Sequence, residues 1–131
     1  MSKAADYVKE IMTTPVVIVA PQATVAQALR AMIDHDIGAV VVADGYAAAG
    51  VFTERDLTRG ILDDPDLLGR SVEDVMSSPV ITAGPDEEVV FVFRRMSERR
   101  IRRLPVLEND RLVGMVTERD LLRWVDAVAS S

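Results

Sequence analysis

Apolar residues follow two different periods along the chain, and each period occurs twice. Residues 16–19 form a β-branched run bounded by prolines, which predicts a strand, and residues 80–82 form a shorter run of the same kind. Residues 25, 28, 29, 32 and 33 are apolar, a spacing typical of an amphipathic helix, and residues 89, 92, 93 and 96 repeat it. Strand and helix patterns therefore alternate, which predicts an α/β fold.

Two further strands and a helix complete each pattern. Apolar runs at 39–43 and 104–107 predict internal strands, and Asp44-Gly45 and Asn109-Asp110 follow them as turns. A third short strand ends at Phe52 or Val116, and threonine then opens a closing helix. The residues of the closing helices that we expect to face inward are Leu57, Ile61, Leu121, Val125 and Val128. With a leading helical turn at 4–12 and at 72–76, the order is strand–helix–strand–strand–helix, twice.

The two patterns are copies of one sequence. An offset of 64 aligns residues 8–61 with 72–125 without a gap, and 17 of these 54 positions are identical. About three identities would be expected by chance from ordinary residue frequencies. The longest identical stretch is Thr-Glu-Arg-Asp-Leu, at 53–57 and 117–121. The chain is therefore an internal repeat.

The repeat defines the expected domain organisation. We place the first copy at 5–62, a linker at 63–70 and the second copy at 71–128, with Ser71 as a helix N-cap. Each copy has about 55 residues and is too small to bury much surface alone. We therefore expect the copies to pack on one another.

The repeated Thr-Glu-Arg-Asp has two interpretations. Threonine followed three residues later by a carboxylate is a capping pattern at a helix start, and a duplicated gene would duplicate its caps. A helix start that follows a strand also presents free N–H groups, which is a natural phosphate site. In that case Asp56 and Asp120 accept hydrogen bonds from ribose hydroxyls, while Thr53 and Thr117 donate to phosphate. The motif alone does not decide between a helix cap and a ligand site.

Composition narrows the classes of function. The net charge is −6 and the chain has no cysteine, which disfavours nucleic-acid binding and excludes disulfides and thiolate chemistry. No apolar run is long enough to span a bilayer, and the charged N-terminus does not resemble a signal peptide, so we expect a cytoplasmic protein without membrane contact.

The sequence contains only incomplete patterns for a catalytic site or a metal site. Residues 45–50 have the glycine spacing of a P-loop, but Val51 and Phe52 stand where lysine and a hydroxyl residue are needed. Asp34-His35-Asp36 lies at a predicted helix end, where polar residues are ordinary, so we expect no metal. With one histidine and no cysteine, no nucleophile–base pair is present. We expect a protein that is not an enzyme.

Taken together, the duplicated motifs resemble a tandem cystathionine-β-synthase (CBS) domain pair. The resemblance rests on the Met-x-x-Pro-Val start of each copy, the Val-Val-Val or Leu-Pro-Val internal strand, and the closing Gly-h-h-Thr-x-x-Asp, where h is apolar. It covers roughly residues 5 to 128. It implies two βαββα repeats packed with pseudo-two-fold symmetry through their sheets, and two clefts between them. Such clefts often bind AMP, ADP, ATP or S-adenosylmethionine, with the aspartate at the ribose.

The resemblance also implies site residues. One cleft would take Thr117, Asp120, Thr14, Val16, Gly38 and Ala39, and the other Thr53, Asp56, Ser78, Val80, Arg102 and Pro105. Family members often carry basic residues before the internal strand, directed at phosphate, and Arg102 and Arg103 hold that place in the second copy. Gly38 and Ala39 hold that place in the first copy and carry no charge. We therefore expect the two clefts to differ in ligand affinity, with Arg103 favouring the cleft of Asp120.

The expected function is a stand-alone CBS pair that senses an adenosyl ligand and signals to a partner. A structural module with empty clefts and a regulatory subunit of a partner enzyme remain alternatives, and the sequence leaves the ligand, the occupancy of the clefts and the partner open. We expect a homodimer, because Val90 and Phe91 widen the apolar face of the helix in the second copy. We expect the nearby Arg94, Arg95, Arg99 and Arg100 to form a solvated face paired with Glu98 and other carboxylates.

Overall fold

The computed structural model describes residues 6–14, 16–45, 47–77 and 81–130. Its elements are α1 (Val8–Ile11), β1 (Ile18–Val19), α2 (Val25–His35), β2 (Ala39–Asp44), β3 (Ala47–Thr53), α3 (Glu54–Asp63), α4 (Val89–Arg99), β4 (Arg103–Glu108), β5 (Arg111–Thr117) and α5 (Glu118–Ser130). Two short 3-10 helices, Leu67–Gly69 and Val72–Asp74, lie between α3 and α4. The predicted mixed α/β fold with two repeats is confirmed.

The described residues form two compact units. One, here called the α5 unit, takes the residues up to Val16 and those from Ile81 onward, and the other, the α3 unit, takes those within Val17–Val80. Each unit therefore combines the body of one sequence copy with the leading segment of the other, residues 6–16 or 72–77. The predicted repeat boundaries describe the sequence period, and the chain exchanges leading segments between the copies.

In the α3 unit, three strands form one sheet in the order β1–β2–β3. β1 is parallel to β2, with Ile18 opposite Val41, and β2 and β3 are antiparallel, with Ala39 opposite Thr53. The strand predicted at 16–19 is shortened to two residues. The buried core of this unit consists of Val25, Ala28, Met32, Val40, Val42, Phe52, Leu67 and Val72. Leu67 comes from the predicted linker, which is therefore part of the packed unit.

In the α5 unit, β4 and β5 are antiparallel, with Arg103 opposite Thr117. The strand predicted at 80–82 is wrong for Ile81 and Thr82, and Val80 lies outside the described residues. Only Ala83 bridges β4, donating to the carbonyl of Pro105 at 3.0 Å and accepting from Leu107 at 2.8 Å. Pro85 follows two residues later and has no N–H, so the ladder does not continue.

The two long helical stripes are confirmed only in part. Val25, Ala28 and Met32 of α2 and their counterparts Val89, Val92 and Met96 of α4 are at most 3% exposed. Ile33, however, is 58% exposed, and Phe93, the counterpart of Leu29, is 38% exposed.

The inward faces predicted for the closing helices are wrong after the first turn. Leu57 and Leu121 pack against the cores, but Ile61, Val125 and Val128 are all exposed. In α5 the core contact beyond the first turn is made by Trp124, which is half-buried, and not by the predicted valines. The leading turns are also shorter than predicted, namely α1 and the 3-10 helix that follows Ser71, whose side chain makes no capping bond.

The predicted turns are confirmed. Gly45, Asn109 and Asp110 all have φ between 51° and 64°, the left-handed region that glycine, asparagine and aspartate tolerate best. Tyr46 lies outside the described residues.

One arginine of the run in α4 pairs with a nearby carboxylate, as predicted, although Glu98 is not its partner. Arg95 binds Glu87, not Glu98, with one nitrogen 2.6 Å from Oε1 and the other 3.1 Å from Oε2. Arg95 also donates to the carbonyl of Thr82 at 2.9 Å, and Glu87 accepts from the amide of Gly84 at 2.8 Å. This network ties α4 to the loop before it. The hydrogen bond that Arg95 donates to Glu87 is the main cause of the lowered pKa of Glu87.

We expect this pair to make stability depend on pH. A carboxylate whose pKa is lowered in the folded state stabilises it above the unfolded pKa of about 4.3, and the contribution is lost as the pH falls through the lowered value. Glu87→Gln should therefore lower the melting temperature at pH 7 more than at pH 3. Glu98→Gln, at an exposed position of the same helix, is the control. An equal loss at both pH values for Glu87→Gln would contradict the prediction.

Candidate functional site

The repeated Thr-x-x-Asp forms a reciprocal cap at the start of both closing helices. Thr53 Oγ1 accepts from the amide of Asp56 at 3.2 Å, and Asp56 Oδ2 accepts from the amide of Thr53 at 2.9 Å. In the second copy the matching distances, between Thr117 and Asp120, are 3.2 and 2.8 Å. Each threonine hydroxyl also donates to the same carboxylate oxygen at 3.0 Å. The capping interpretation of the motif thus describes its geometry in both copies.

The two aspartates differ in their surroundings. Asp120 is only 5% exposed, and Thr13 Oγ1 lies 3.2 Å from both of its carboxylate oxygens. Asp56 is half-buried, and Ser77 Oγ lies 3.4 Å from a single oxygen, Oδ1. Each carboxylate therefore receives a hydroxyl from the leading segment of the other copy.

Sequence reasoning missed Thr13 and Ser77. It named their neighbours Thr14 and Ser78 instead, because the resemblance pointed to the residue directly before proline. The offset of 64 places a hydroxyl at 13 and 77 but also at 14 and 78, so the repeat alone could not distinguish the two pairs. In the structure Thr14 is exposed and Val16 is half-buried, while Ser78 and Val80 lie outside the described residues.

Backbone pairing holds each hydroxyl in place. Thr13 and Met115 exchange two hydrogen bonds, at 2.8 and 3.0 Å, and Ser77 and Val51 exchange two at 2.9 and 3.1 Å. The leading segment therefore crosses the strand that ends at Thr-x-x-Asp. This crossing brings residues far apart in the chain to one carboxylate.

The glycine that precedes each motif makes room for the crossing. A Cβ at Gly114 would lie 2.9 Å from Met12 Cγ, and one at Gly50 would lie 2.7 Å from Met76 Cγ and 2.9 Å from the carbonyl oxygen of Ser77. A side chain in either place would displace the methionine. In each copy the repeated glycine therefore packs against the repeated methionine of the other copy.

The residues before each internal strand lie beside the closing helix of their own copy. Gly38 accepts from the amide of Glu54 at 3.0 Å, and Arg102 accepts from the amide of Glu118 at 2.8 Å. The strand residues that follow, Ala39 and Arg103, pair with Thr53 and Thr117. Pro105 is buried in β4, opposite Met115. How these residues divide between two ligand sites stays a prediction.

The two arginines before the internal strand of the second copy are accessible to an anion. The Arg102 side chain is 64% exposed, and its Nε lies 3.9 Å from a carboxylate oxygen of Glu118, which is 65% exposed. Exposed pairs at this distance contribute little, so Arg102 can reorient. Arg103 is half-exposed at the start of β4. In the first copy Gly38 and Ala39 bring no charge to the same place.

The described part of the chain lacks two features that would change this picture. It contains no group of three or more His, Cys, Asp or Glu side chains arranged to hold a metal ion. None of its helices combines the length and apolarity required to cross a membrane. The site therefore offers carboxylates, hydroxyls, backbone amides and arginines, which suit a polar ligand with both hydroxyl and anionic groups.

Comparison with known proteins agrees with the repeat. The CBS domain family matches residues 8–63 and again 72–127. The chain is 32% identical over 114 residues to the CBS domain-containing protein YhcV of Bacillus subtilis, covering 87% of this chain and 81% of that protein. Longer relatives are matched over only part of their length. The chain spans 24% of an inosine-5′-monophosphate dehydrogenase of Methanocaldococcus jannaschii at 31% identity, over 92% of its own residues.

Solved structures show the same fold. The CBS-domain protein ATU1752 of Agrobacterium tumefaciens superposes with a TM-score of 0.86 at 30% identity, over 95% of this chain and 97% of that one. The CBS domain pair of MJ0100, crystallised with 5′-methylthioadenosine and S-adenosyl-L-methionine, superposes with a TM-score of 0.84 at 28% identity, over 95% and 98%. With the family matched twice along its length, this chain belongs to the CBS domain family.

Proposed function

We propose that this chain is a regulatory module that binds an adenosyl ligand at its Thr-x-x-Asp motifs and passes its state to a partner. The observation that carries the proposal is the buried carboxylate of Asp120, held at a helix start by Thr117 and met by the hydroxyl of Thr13. A carboxylate so placed is suited to ribose hydroxyls. The bound 5′-methylthioadenosine and S-adenosylmethionine of MJ0100 support the same ligand class.

The proposed roles follow from the chemistry of each group. Asp120 and Asp56 accept from the ribose hydroxyls. The hydroxyls of Thr117 and Thr53, which donate to these aspartates in the ligand-free chain, turn to donate to the ligand's phosphate or carboxylate. Arg102 and Arg103 supply positive charge, which favours a nucleotide phosphate or the carboxylate of S-adenosylmethionine. For the base, the proposed residues are those that the family resemblance implies, namely Thr14, Val16, Gly38, Ala39, Ser78, Val80 and Pro105.

A thermal-shift panel tests this function. AMP, ADP, ATP, S-adenosylmethionine, 5′-methylthioadenosine and NAD are compared on the full chain. A ligand at a hundred times its dissociation constant stabilises the folded state by about 2.7 kcal/mol, which raises the melting temperature of a domain of this size by roughly 10 °C. A 2′,3′-dideoxy nucleotide is the matched control, since it lacks the hydroxyls that Asp120 would accept. A flat response to every adenosyl compound would leave the motif as a pair of helix caps, and the chain as a structural module.

We propose in addition that the protein is a homodimer formed through α4. Val90 and Phe91 are 46% and 51% exposed, so the alternative that this helix is simply more buried within its own chain is disfavoured. An open groove of about 520 Å³ runs beside them and is lined by Val90, Phe93, Arg94, Ser97, Glu98 and Trp124. Exposed apolar side chains clustered on one helix, as Val90, Phe91 and Phe93 are, are typical of an interface between subunits.

Phe91→Asp should convert the dimer to a monomer, because it buries a charge in the interface without touching the core. Light scattering at tens of micromolar would show the mass halved. The melting temperature should also be lower, because the subunit interface no longer stabilises the folded chain. Leu68→Asp, at another exposed apolar position (41% exposed), should stay a dimer. A parent chain that is already monomeric at this concentration would contradict the dimer.

No nucleophile–base pair supports catalysis, and we propose a non-enzymatic, cytoplasmic role. The relatives that are enzymes, such as the inosine-5′-monophosphate dehydrogenase above, contain this region as about a quarter of their length. A regulatory role beside a catalytic partner is thus the second candidate function.

A further inference from the structure

The carboxylate of Asp120 is already occupied on both of its oxygens. Oδ2 accepts from the amide and the hydroxyl of Thr117. Thr13 Oγ1 is equidistant from Oδ1 and Oδ2, at 3.2 Å from each. A hydroxyl equidistant from the two oxygens lies across the outer edge of the carboxylate. Among the described residues, Thr13 alone donates to Oδ1.

We infer that Thr13 sets the affinity of the Asp120 site by competing with the ligand's ribose for this carboxylate, an inference that rests on the proposed function. A ribose hydroxyl that donates to Asp120 needs the same edge of the carboxylate that the hydroxyl of Thr13 now faces. Asp120 is only 5% exposed, so no second open edge is available to the ligand. Thr13 is itself exposed, which leaves its side chain room to rotate away.

The replacement of Thr13 by the ribose predicts in which direction the ligand affinity changes when the hydroxyl is removed. In the free protein the hydroxyl of Thr13 satisfies part of a buried carboxylate, which stabilises the ligand-free state. In the bound state the ribose takes over that bond. Removing the hydroxyl therefore destabilises the free protein and leaves the complex unchanged, and the measured affinity rises.

The first copy provides an internal comparison. Ser77 reaches only one oxygen of Asp56, at 3.4 Å, and Asp56 is less buried than Asp120. The competing bond at Asp56 is longer and single, so its removal should change affinity less. Competition by Thr13 acts against the advantage that Arg103 was expected to bring to the Asp120 site.

The test uses Thr13→Val, which removes the hydroxyl and keeps the shape of the side chain. Binding of S-adenosylmethionine and of AMP is measured by calorimetry on full chains that also carry Asp56→Asn, so that the Asp120 site is observed alone. We expect the dissociation constant to fall roughly three- to tenfold, the factor that one ordinary hydrogen bond gives, because the contact of Thr13 is long, at 3.2 Å, and is shared between the two oxygens. The ligand-free melting temperature should fall at the same time.

Two matched variants control for other effects. Thr13→Ser keeps a hydroxyl and should retain the parent affinity. Thr58→Val makes the same chemical change at an exposed helix position, where the hydroxyl bonds only the carbonyl of Arg55, and should also leave the affinity unchanged. In the other copy, Ser77→Ala in an Asp120→Asn chain should strengthen binding at Asp56 by a smaller factor.

The outcomes separate this inference from the proposed function. If the parent binds either probe and Thr13→Val binds it equally or more weakly, Thr13 does not compete and the inference is overturned while the function stands. If neither probe binds the parent, the proposed function fails, and the inference fails with it.

Discussion

Asp120→Asn is expected to weaken the binding of an adenosyl ligand about tenfold or more at its site. The substitution removes the negative charge that accepts the ribose hydroxyls, and a hydrogen bond to a charged group contributes roughly 1.5–3 kcal/mol. The helix start should survive, because the amide oxygen of asparagine can still accept from the amide of Thr117. Its amide nitrogen can donate to the hydroxyl of Thr13. The ligand-free melting temperature should therefore change little.

Asp56→Asn is the matched substitution in the other copy. It makes the same chemical change in the same reciprocal cap, so it should affect the other site and leave the Asp120 site unaltered. Calorimetry on the parent, both single variants and the double variant would assign each binding event to one motif. If both aspartates act as caps alone, the parent shows no ligand response, and each variant shows only a small loss of stability.

Phe52→Ala is expected to reduce the free energy of unfolding by about 3–5 kcal/mol. Phe52 is fully buried in the core of the α3 unit, among Val25, Val40 and Leu67, so alanine leaves a cavity that its neighbours fill only in part. Loss of this size is a large fraction of the stability of a small domain. Urea denaturation followed by circular dichroism measures it directly.

Val116→Ala is the control, because Val116 holds the equivalent position in the second copy and is also fully buried. It deletes far fewer atoms, and we expect a loss of about 1.5–2.5 kcal/mol, the transfer free energy of two methyl or methylene groups plus a small cavity. Equal losses at the two positions would mean that the deleted volume does not govern stability here.

Much of the local structure could be predicted because it depends on neighbouring residues. The apolar spacing of α2 and α4, the β-branched internal strands and the turns at Asp44-Gly45 and Asn109-Asp110 are written within a few positions of where they act. The capping geometry of Thr53 and Thr117 is local as well, since each bond joins residues three apart. The exact repeat then showed that both copies follow one plan.

Predictions that depended on what covers an element were less successful. Residues 80–82 have the composition of a strand, yet of the described residues Ile81, Thr82 and Ala83 only Ala83 forms a bridge, to Val106, and Pro85 lacks the N–H that would continue it. Ile61, Val125 and Val128 have helical spacing but are exposed, because burial depends on the elements that the fold brings to each face. Pairing of the arginine run with nearby carboxylates was predicted, but only the fold decided that the partner of Arg95 is Glu87.

The sequence by itself determined that this chain consists of two copies of one α/β unit, each with a capped helix start that carries a candidate ribose carboxylate. Only the tertiary structure decided what meets that carboxylate. The leading segment of one copy crosses the last strand of the other, and Thr13 reaches Asp120 across 107 positions of sequence. No local pattern records such a contact, because it depends on backbone pairing between distant strands and on the space left by Gly114. The inequality of Asp120 and Asp56 comes from the same crossings, which bring Thr13 closer to its partner than Ser77.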